Sequence, residues 1–285
     1  MKTKSIVAAA VLLFVLALGL TLYPLISNFY NARHQSQIHT AYQQQLEKTE
    51  SGEIQKAKEA ARAYNTQLCT QVQGGSAFTK ESLTGASQNY EDLLNLTGRG
   101  IMGYVNIPVL SVNLPIYHGT DADTLELGIG HLLGSSLPIG GESTHTVLTA
   151  HSGMASQKMF SDLNQLEKGD VFYLEVLDET LAYQVEEIHT VLPTNTDNLG
   201  ITAGEDRCTL VTCTPFGVNT HRLLVQGTRI PYEESEAIAA EQMQSKEVRS
   251  TWEEEYLNGI ITGISVVILL AILVGTAMFF RRELE

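Results

Sequence analysis

The chain has 285 residues, 18% of them charged, and a formal net charge of −14. Such an acidic balance repels nucleic acid and anionic lipid, and no basic stripe of the kind that tracks phosphates occurs in it. The three cysteines, Cys69, Cys208 and Cys213, are odd in number and too few for a disulfide scaffold, and without a Cys-x-x-Cys or His-x-x-x-His pair no metal and no cofactor are expected.

In chain order, the first feature is an apolar run from about Ile6 to Leu25, preceded by Lys2 and Lys4. Its counterpart runs from about Gly259 to Phe280 and is followed by Arg281 and Arg282, with Trp252 and Tyr256 placed as interfacial anchors. Each is about 20 residues, a bilayer-crossing length for a helix. The basic outer flanks predict both termini in the cytoplasm and the domain between the runs on the extracellular side of the cell membrane. The first run also fits a signal peptide, although no small-x-small cleavage site follows it. The expected organisation is a transmembrane helix at 1–27, a helical stalk and lid-like region at 28–99, a barrel at 100–232, a juxtamembrane linker at 233–257 and a second transmembrane helix at 258–285.

Between the apolar runs, Ile38, Tyr42 and Leu46, then Ile54, Ala57, Ala61, Tyr64 and Leu68, recur at helical spacing, with a break predicted at Ser51-Gly52. A short helix is expected around Gln88 to Leu96. From Ile101 the pattern turns to β, with strands predicted at Gly103–Ile107, Val112–Ile116, Thr144–Ala150, Val171–Leu177, Leu181–Leu192, Arg207–Cys213 and Leu223–Ile230. Asp178-Glu179-Thr180 reads as a hairpin turn. Short helices are expected at Asp123–Leu127 and Gln157–Leu163. Seven or eight short strands in about 130 residues point to a mainly β fold, a closed barrel or sandwich.

Three residue types in this pattern suit covalent catalysis. Cys213 closes a strand and is followed at once by Thr214-Pro215-Phe216-Gly217, which ends the ladder near solvent. A thiol can attack a carbonyl. By itself it reads equally well as a small buried apolar residue. His151 closes another apolar strand and could move protons, but it is one of eight histidines, and His118, His131, His145 and His221 compete with it. Arg222, nine residues after Cys213, could hold developing negative charge or could be an ordinary surface cation.

The combination is more specific than its parts. Thr209-Leu210-Val211-Thr212-Cys213 resembles the Thr-Leu-x-Thr-Cys signature of sortases, the cysteine transpeptidases of Gram-positive cell surfaces. Gly100-Ile101-Met102-Gly103-Tyr104, Leu114-Pro115-Ile116-Tyr117-His118-Gly119 and Gly130-His131-Leu132 resemble the pilus-assembling class C members. So do Leu137-Pro138-Ile139-Gly140-Gly141, Thr144-His145 and Asn219-Thr220-His221-Arg222, and the likeness covers about residues 100–230.

The resemblance implies a closed eight-stranded sortase-like β-barrel with N-terminal helices, here flanked by two transmembrane helices. It makes Cys213 the nucleophile, His151 the proton donor and Arg222 the oxyanion or substrate stabiliser, with Thr212 and Phe78 touching substrate. The implied reaction cleaves a Leu-Pro-x-Thr-Gly-like sorting signal of a pilin or surface protein through a thioester. An amine then takes the acyl group, either a pilin lysine or a peptidoglycan precursor. A non-catalytic pilin-binding module is the alternative from a different class. Two departures stand out. No Asp-Pro occurs anywhere, so the aromatic lid of many class C relatives is expected to be weak, mobile or absent around Phe78. Ser152-Gly153 also follows His151 where many relatives have arginine.

Overall fold

The computed structural model describes residues 2–72, 89–246 and 250–283 and falls into two compact units, one of residues 1–25 with 249–285, the other of residues 26–248. In the second unit, eight strands close into a barrel. They are β1 (Ile101–Ile107), β2 (Val112–His118), β3 (Ile129–His131), β4 (Thr144–Thr149), β5 (Val171–Val176), β6 (Glu179–Val191), β7 (Asp206–Thr214) and β8 (His221–Ile230). Their order around the barrel is β1-β2-β3-β4-β7-β8-β6-β5. β2 with β3 and β4 with β7 are parallel, and every other neighbouring pair is antiparallel.

Strand alternation sends one set of side chains into the barrel. Cys208 and Leu210 of β7 and Leu223 and Val225 of β8 join the main core with Ile116, Leu148, Phe172 and Leu174. Phe172 and Tyr183 stack inside, ring centroids 5.6 Å apart. A Cβ at Gly227 would sit 2.7 Å from the Phe172 ring, so a larger residue there would collide with that stack. The opposite set on β4, β7 and β8 builds a smaller external cluster, Val147, Val211 and Leu224, covered by Leu199 from the β6–β7 connection.

The predicted helical stripes form α1 (Lys2–Lys48) and α2 (Ser51–Val72), and the chain breaks between them at Thr49-Glu50. Tyr42 is buried: its hydroxyl donates to the Met102 carbonyl (3.3 Å) and accepts the Leu177 N–H (3.2 Å). Leu46, Ala61 and Leu68 are buried too, which fastens both helices to the barrel. Lys58 of α2 pairs with Asp178 and Glu179 at the β5–β6 turn, both at 2.6 Å. Helix α3 (Ala122–Leu127) is capped by Asp121, which accepts the Thr124 N–H, and α4 (Tyr232–Ser245) follows β8.

The described part of the other unit is helical, comprising the start of α1 and α5 (Thr251–Glu283). Among the described residues no helix is long and apolar enough to cross a membrane. This corrects the expectation of two flanking transmembrane helices, and with it the membrane-embedded chain with both termini cytoplasmic and an extracellular catalytic domain. A crossing needs about 20 consecutive, predominantly apolar residues. The described apolar stretch of α1 gives way to Ser27, Asn28 and Asn31, and α5 opens on Glu253, Glu254 and Glu255.

Other differences are local. The hairpin turn is Leu177-Asp178, with Leu177 at φ 55°, one residue earlier than expected. The helix expected at Gln157–Leu163 is absent: Met159 (φ 45°) and Phe160 turn into the core, and only a short 3-10 turn, Leu163–Gln165, forms. Around Gln88 to Leu96 only a 3-10 turn, Tyr90–Asp92, forms among the described residues. Phe78 and the lid-like stretch Gln73–Thr79 lie outside the described residues.

Candidate active site

Cys213 and Arg222 face each other across adjacent antiparallel strands as direct register partners. Side chains of directly opposed residues leave the same face of a sheet. Val211 with Leu224 is the next pair along that face, so Cys213 and Arg222 stand on the external face, one step beyond the cluster that Leu199 covers. Both are partly exposed. Cys208, five residues earlier, points the other way and is fully buried, and burial pushes its thiol well above the ordinary range.

His151 reaches the same place from β4. In the parallel β4–β7 pairing Val147 lies against Thr209 and Thr149 against Val211. The ladder continues one residue further, with the Ala150 N–H donating to the Val211 carbonyl at 3.1 Å. The next residue on β4's course is His151, as far past Thr149 as Cys213 is past Val211. The chain leaves β7 through a cis Thr214-Pro215 peptide, and the Pro215 carbonyl accepts the N–H groups of Val218 (3.1 Å) and Asn219 (3.0 Å) before β8 begins. This hairpin meets the loop after His151 closely. A Cβ on Gly153, which has φ +79°, would lie 3.3 Å from the Gly217 nitrogen. The sequence-predicted thiol, imidazole and guanidinium are thus carried on three neighbouring strand ends.

Three of the competing histidines are committed elsewhere. His131 is fully buried, its Nδ1 2.7 Å from the Tyr90 hydroxyl and its Nε2 2.9 Å from the Ser136 carbonyl, and burial lowers its pKa to about 4. His118, its register partner, has its two ring nitrogens near the carbonyls of Gly100 (3.1 Å) and Leu93 (2.8 Å). His145 lies between the Gly200 carbonyl (2.8 Å) and the Thr209 hydroxyl (2.7 Å), and burial lowers its pKa as well. A carbonyl only accepts, so Nδ1 of neutral His145 carries the proton and Nε2 accepts from Thr209. His145 therefore ties the β6–β7 connection to the face that carries Cys213, a role its sequence position gave no sign of. The His151 ring has no hydrogen-bond or ion-pair partner among the described residues and is partly exposed.

Arg222 donates through Nη1 to the carbonyls of Asn219 (3.3 Å) and His221 (3.1 Å), which leaves other N–H groups of its five-donor fork for a substrate oxygen. Thr212 is buried, and its hydroxyl donates to the Ala150 carbonyl at 2.8 Å. That bond clamps the residue before His151 to the residue before Cys213. Thr212→Val should leave the Ala150 carbonyl short of a donor, cost about 1–3 kcal/mol of stability and slow turnover. Thr212→Ser should restore both. Calorimetry alongside a turnover assay checks this, and a valine variant with unchanged stability would refute the clamp.

The Sortase domain family matches residues 105–230. The chain is 31% identical over 155 residues to sortase D of Bacillus subtilis (strain 168), covering 53% of this chain and 74% of that one. The chain belongs to the sortase family. It is a sortase-type cysteine transpeptidase. Among solved structures, sortase C1 of Streptococcus agalactiae is 42% identical with a TM-score of 0.62, over 68% of this chain and 98% of that one. Sortase C of Streptococcus pneumoniae, whose structure was reported to bear on catalysis and pilin substrate specificity, is 40% identical with a TM-score of 0.61, over 69% and 97%. These sortase C structures thus match the chain across nearly their whole length.

Proposed function

We propose that this sortase is a class C, pilin-polymerising transpeptidase in which Cys213, His151 and Arg222 act together. The observation that carries the reading is the direct register pairing of Cys213 with Arg222, with His151 arriving on the neighbouring strand. As the Cys213 thiol passes its proton to His151, its sulfur attacks the threonine carbonyl of a Leu-Pro-x-Thr-Gly-like signal. Arg222 donates to the resulting oxyanion, and such a donor is typically worth about 10²–10³ in rate. The Thr–Gly C–N bond breaks, His151 protonates the departing glycine amine, and a thioester remains on Cys213. The acceptor amine, deprotonated by His151, attacks that thioester, forms the new amide and returns the thiol.

Sortases join sorting-signal proteins to amines. The likeness to sortase C structures supports a pilin lysine as the acceptor here. A competition assay separates the acceptors. The full chain is given a sorting-signal peptide with a pilin domain and a peptidoglycan-precursor amine together. The proposal expects an isopeptide to a pilin lysine as the main product by mass spectrometry. Transfer only to the precursor amine would make the protein an anchoring sortase instead. Binding of the signal without any acyl transfer would leave a pilin-binding module.

A further inference from the structure

Helix α1 touches the His151 loop at three points. Asn28 Oδ1 accepts the Lys158 N–H at 3.1 Å, Asn31 Nδ2 donates to the Ser156 carbonyl at 3.1 Å, and Gln35 Nε2 donates to Gln157 Oε1 at 3.0 Å. Positions 28, 31 and 35 recur at spacings of three and four, so they form one stripe on the helix. All three partners fall within residues 156–158, about 120 to 130 positions away in sequence. Gln157 also donates through Nε2 to the Glu126 carbonyl at 2.9 Å, which links the same loop to α3.

This loop closes back on His151. The Phe160 N–H donates to the His151 carbonyl at 3.0 Å, and the Gly153 N–H donates to Ser161 Oγ at 3.1 Å. Met159 and Phe160 are buried in the main core directly after the stretch that α1 holds. No strand supplies partners for the Ser156 carbonyl and the Lys158 N–H, and α1 supplies them instead. A shift at 156–158 therefore passes through Phe160 to the His151 backbone.

We propose that the Asn28–Asn31–Gln35 stripe of α1 consists of positioning residues for catalysis, holding His151 in register with Cys213 through the 151–161 loop. The N-terminal helix is then a part of the catalytic apparatus rather than a plain stalk. This rests on the reading of His151 as the proton carrier. The chemistry of the partners sets the polarity. An N–H only donates, so Asn28 acts through its oxygen; a carbonyl only accepts, so Asn31 acts through its nitrogen. Asn28→Asp keeps the needed acceptor, whereas Asn31→Asp removes the needed donor and turns an oxygen toward the Ser156 carbonyl.

The test uses the full chain and a sorting-signal peptide, measuring kcat, KM and thermal melting for N28D, N31D and H151A. A misplacement of about 1 Å can cost on the order of 10²-fold in rate. The expected result is a fall in kcat of about tenfold or more for N31D, with KM and melting temperature close to the unsubstituted protein, and near-normal kcat for N28D. Unchanged kcat in N31D, a change in KM alone, or a loss matched by the unfolded fraction would overturn the proposal. H151A tells the two readings apart. If it keeps full kcat, the reading of the site has failed; if it loses activity while N31D does not, only the role of α1 has failed.

Discussion

Alanine at position 213 is expected to abolish acyl transfer, lowering turnover by at least about 10⁴-fold and leaving no acylated protein. Among the described residues no other thiol stands on this face. The comparison with Cys208 makes the test specific. Cys208 is fully buried inside the barrel with its thiol held protonated, so Cys208→Ala should keep most of the activity and lose only packing. Mass spectrometry of each variant with a Leu-Pro-x-Thr-Gly peptide reads both results at once. An adduct that persists in Cys213→Ala would remove Cys213 from the mechanism.

His151→Ala is expected to slow the acylation step by about 10²–10⁴-fold, the usual contribution of a positioned proton carrier. Because its ring makes no hydrogen bond among the described residues, the melting temperature should barely move. His131→Ala should do the reverse in kind. It empties a buried site and strands the Ser136 carbonyl, while the Tyr90 hydroxyl keeps the His131 carbonyl and the Gly119 N–H, so stability falls first. Stopped-flow acylation with parallel calorimetry distinguishes the two. A His151→Ala variant that acylates at the normal rate would move the proton-transfer role to another group.

The two histidine predictions also mark where sequence reading stops. His118 and His131 sit beside glycines and read as loop residues, yet both are buried at the ends of β2 and β3. Strand β3 has only three residues, Ile129–His131, too few for alternation to show. Gly130 is there because the Gly119 carbonyl crosses where a Cβ would stand, a tertiary cause that mimics a turn signal. The helix expected at Gln157–Leu163 failed for a similar reason. Its apolar residues serve the barrel core and its polar backbone serves α1, so the local helical pattern was overruled. Glu175 of β5 likewise accepts from Asn106 Nδ2 at 3.2 Å and lies 3.1 Å from His39 Nε2 of α1.

The sequence by itself determined the barrel's long strands and the α1–α2 break, and it nominated the thiol, imidazole and guanidinium as a candidate set. Each of these rests on near-neighbour information: alternation of burial along a strand, punctuation by proline and glycine, or a contiguous motif. Only the tertiary structure decided the direct pairing of Cys213 with Arg222, the buried fates of His118, His131 and His145, and the reach of α1 to the His151 loop. Among the described residues no helix is long and apolar enough to be one of the membrane-crossing helices expected from the sequence. Register across a closed barrel and hydrogen bonds between residues more than a hundred positions apart leave no local pattern, because the partner that satisfies a backbone group is chosen only when the chain has closed upon itself.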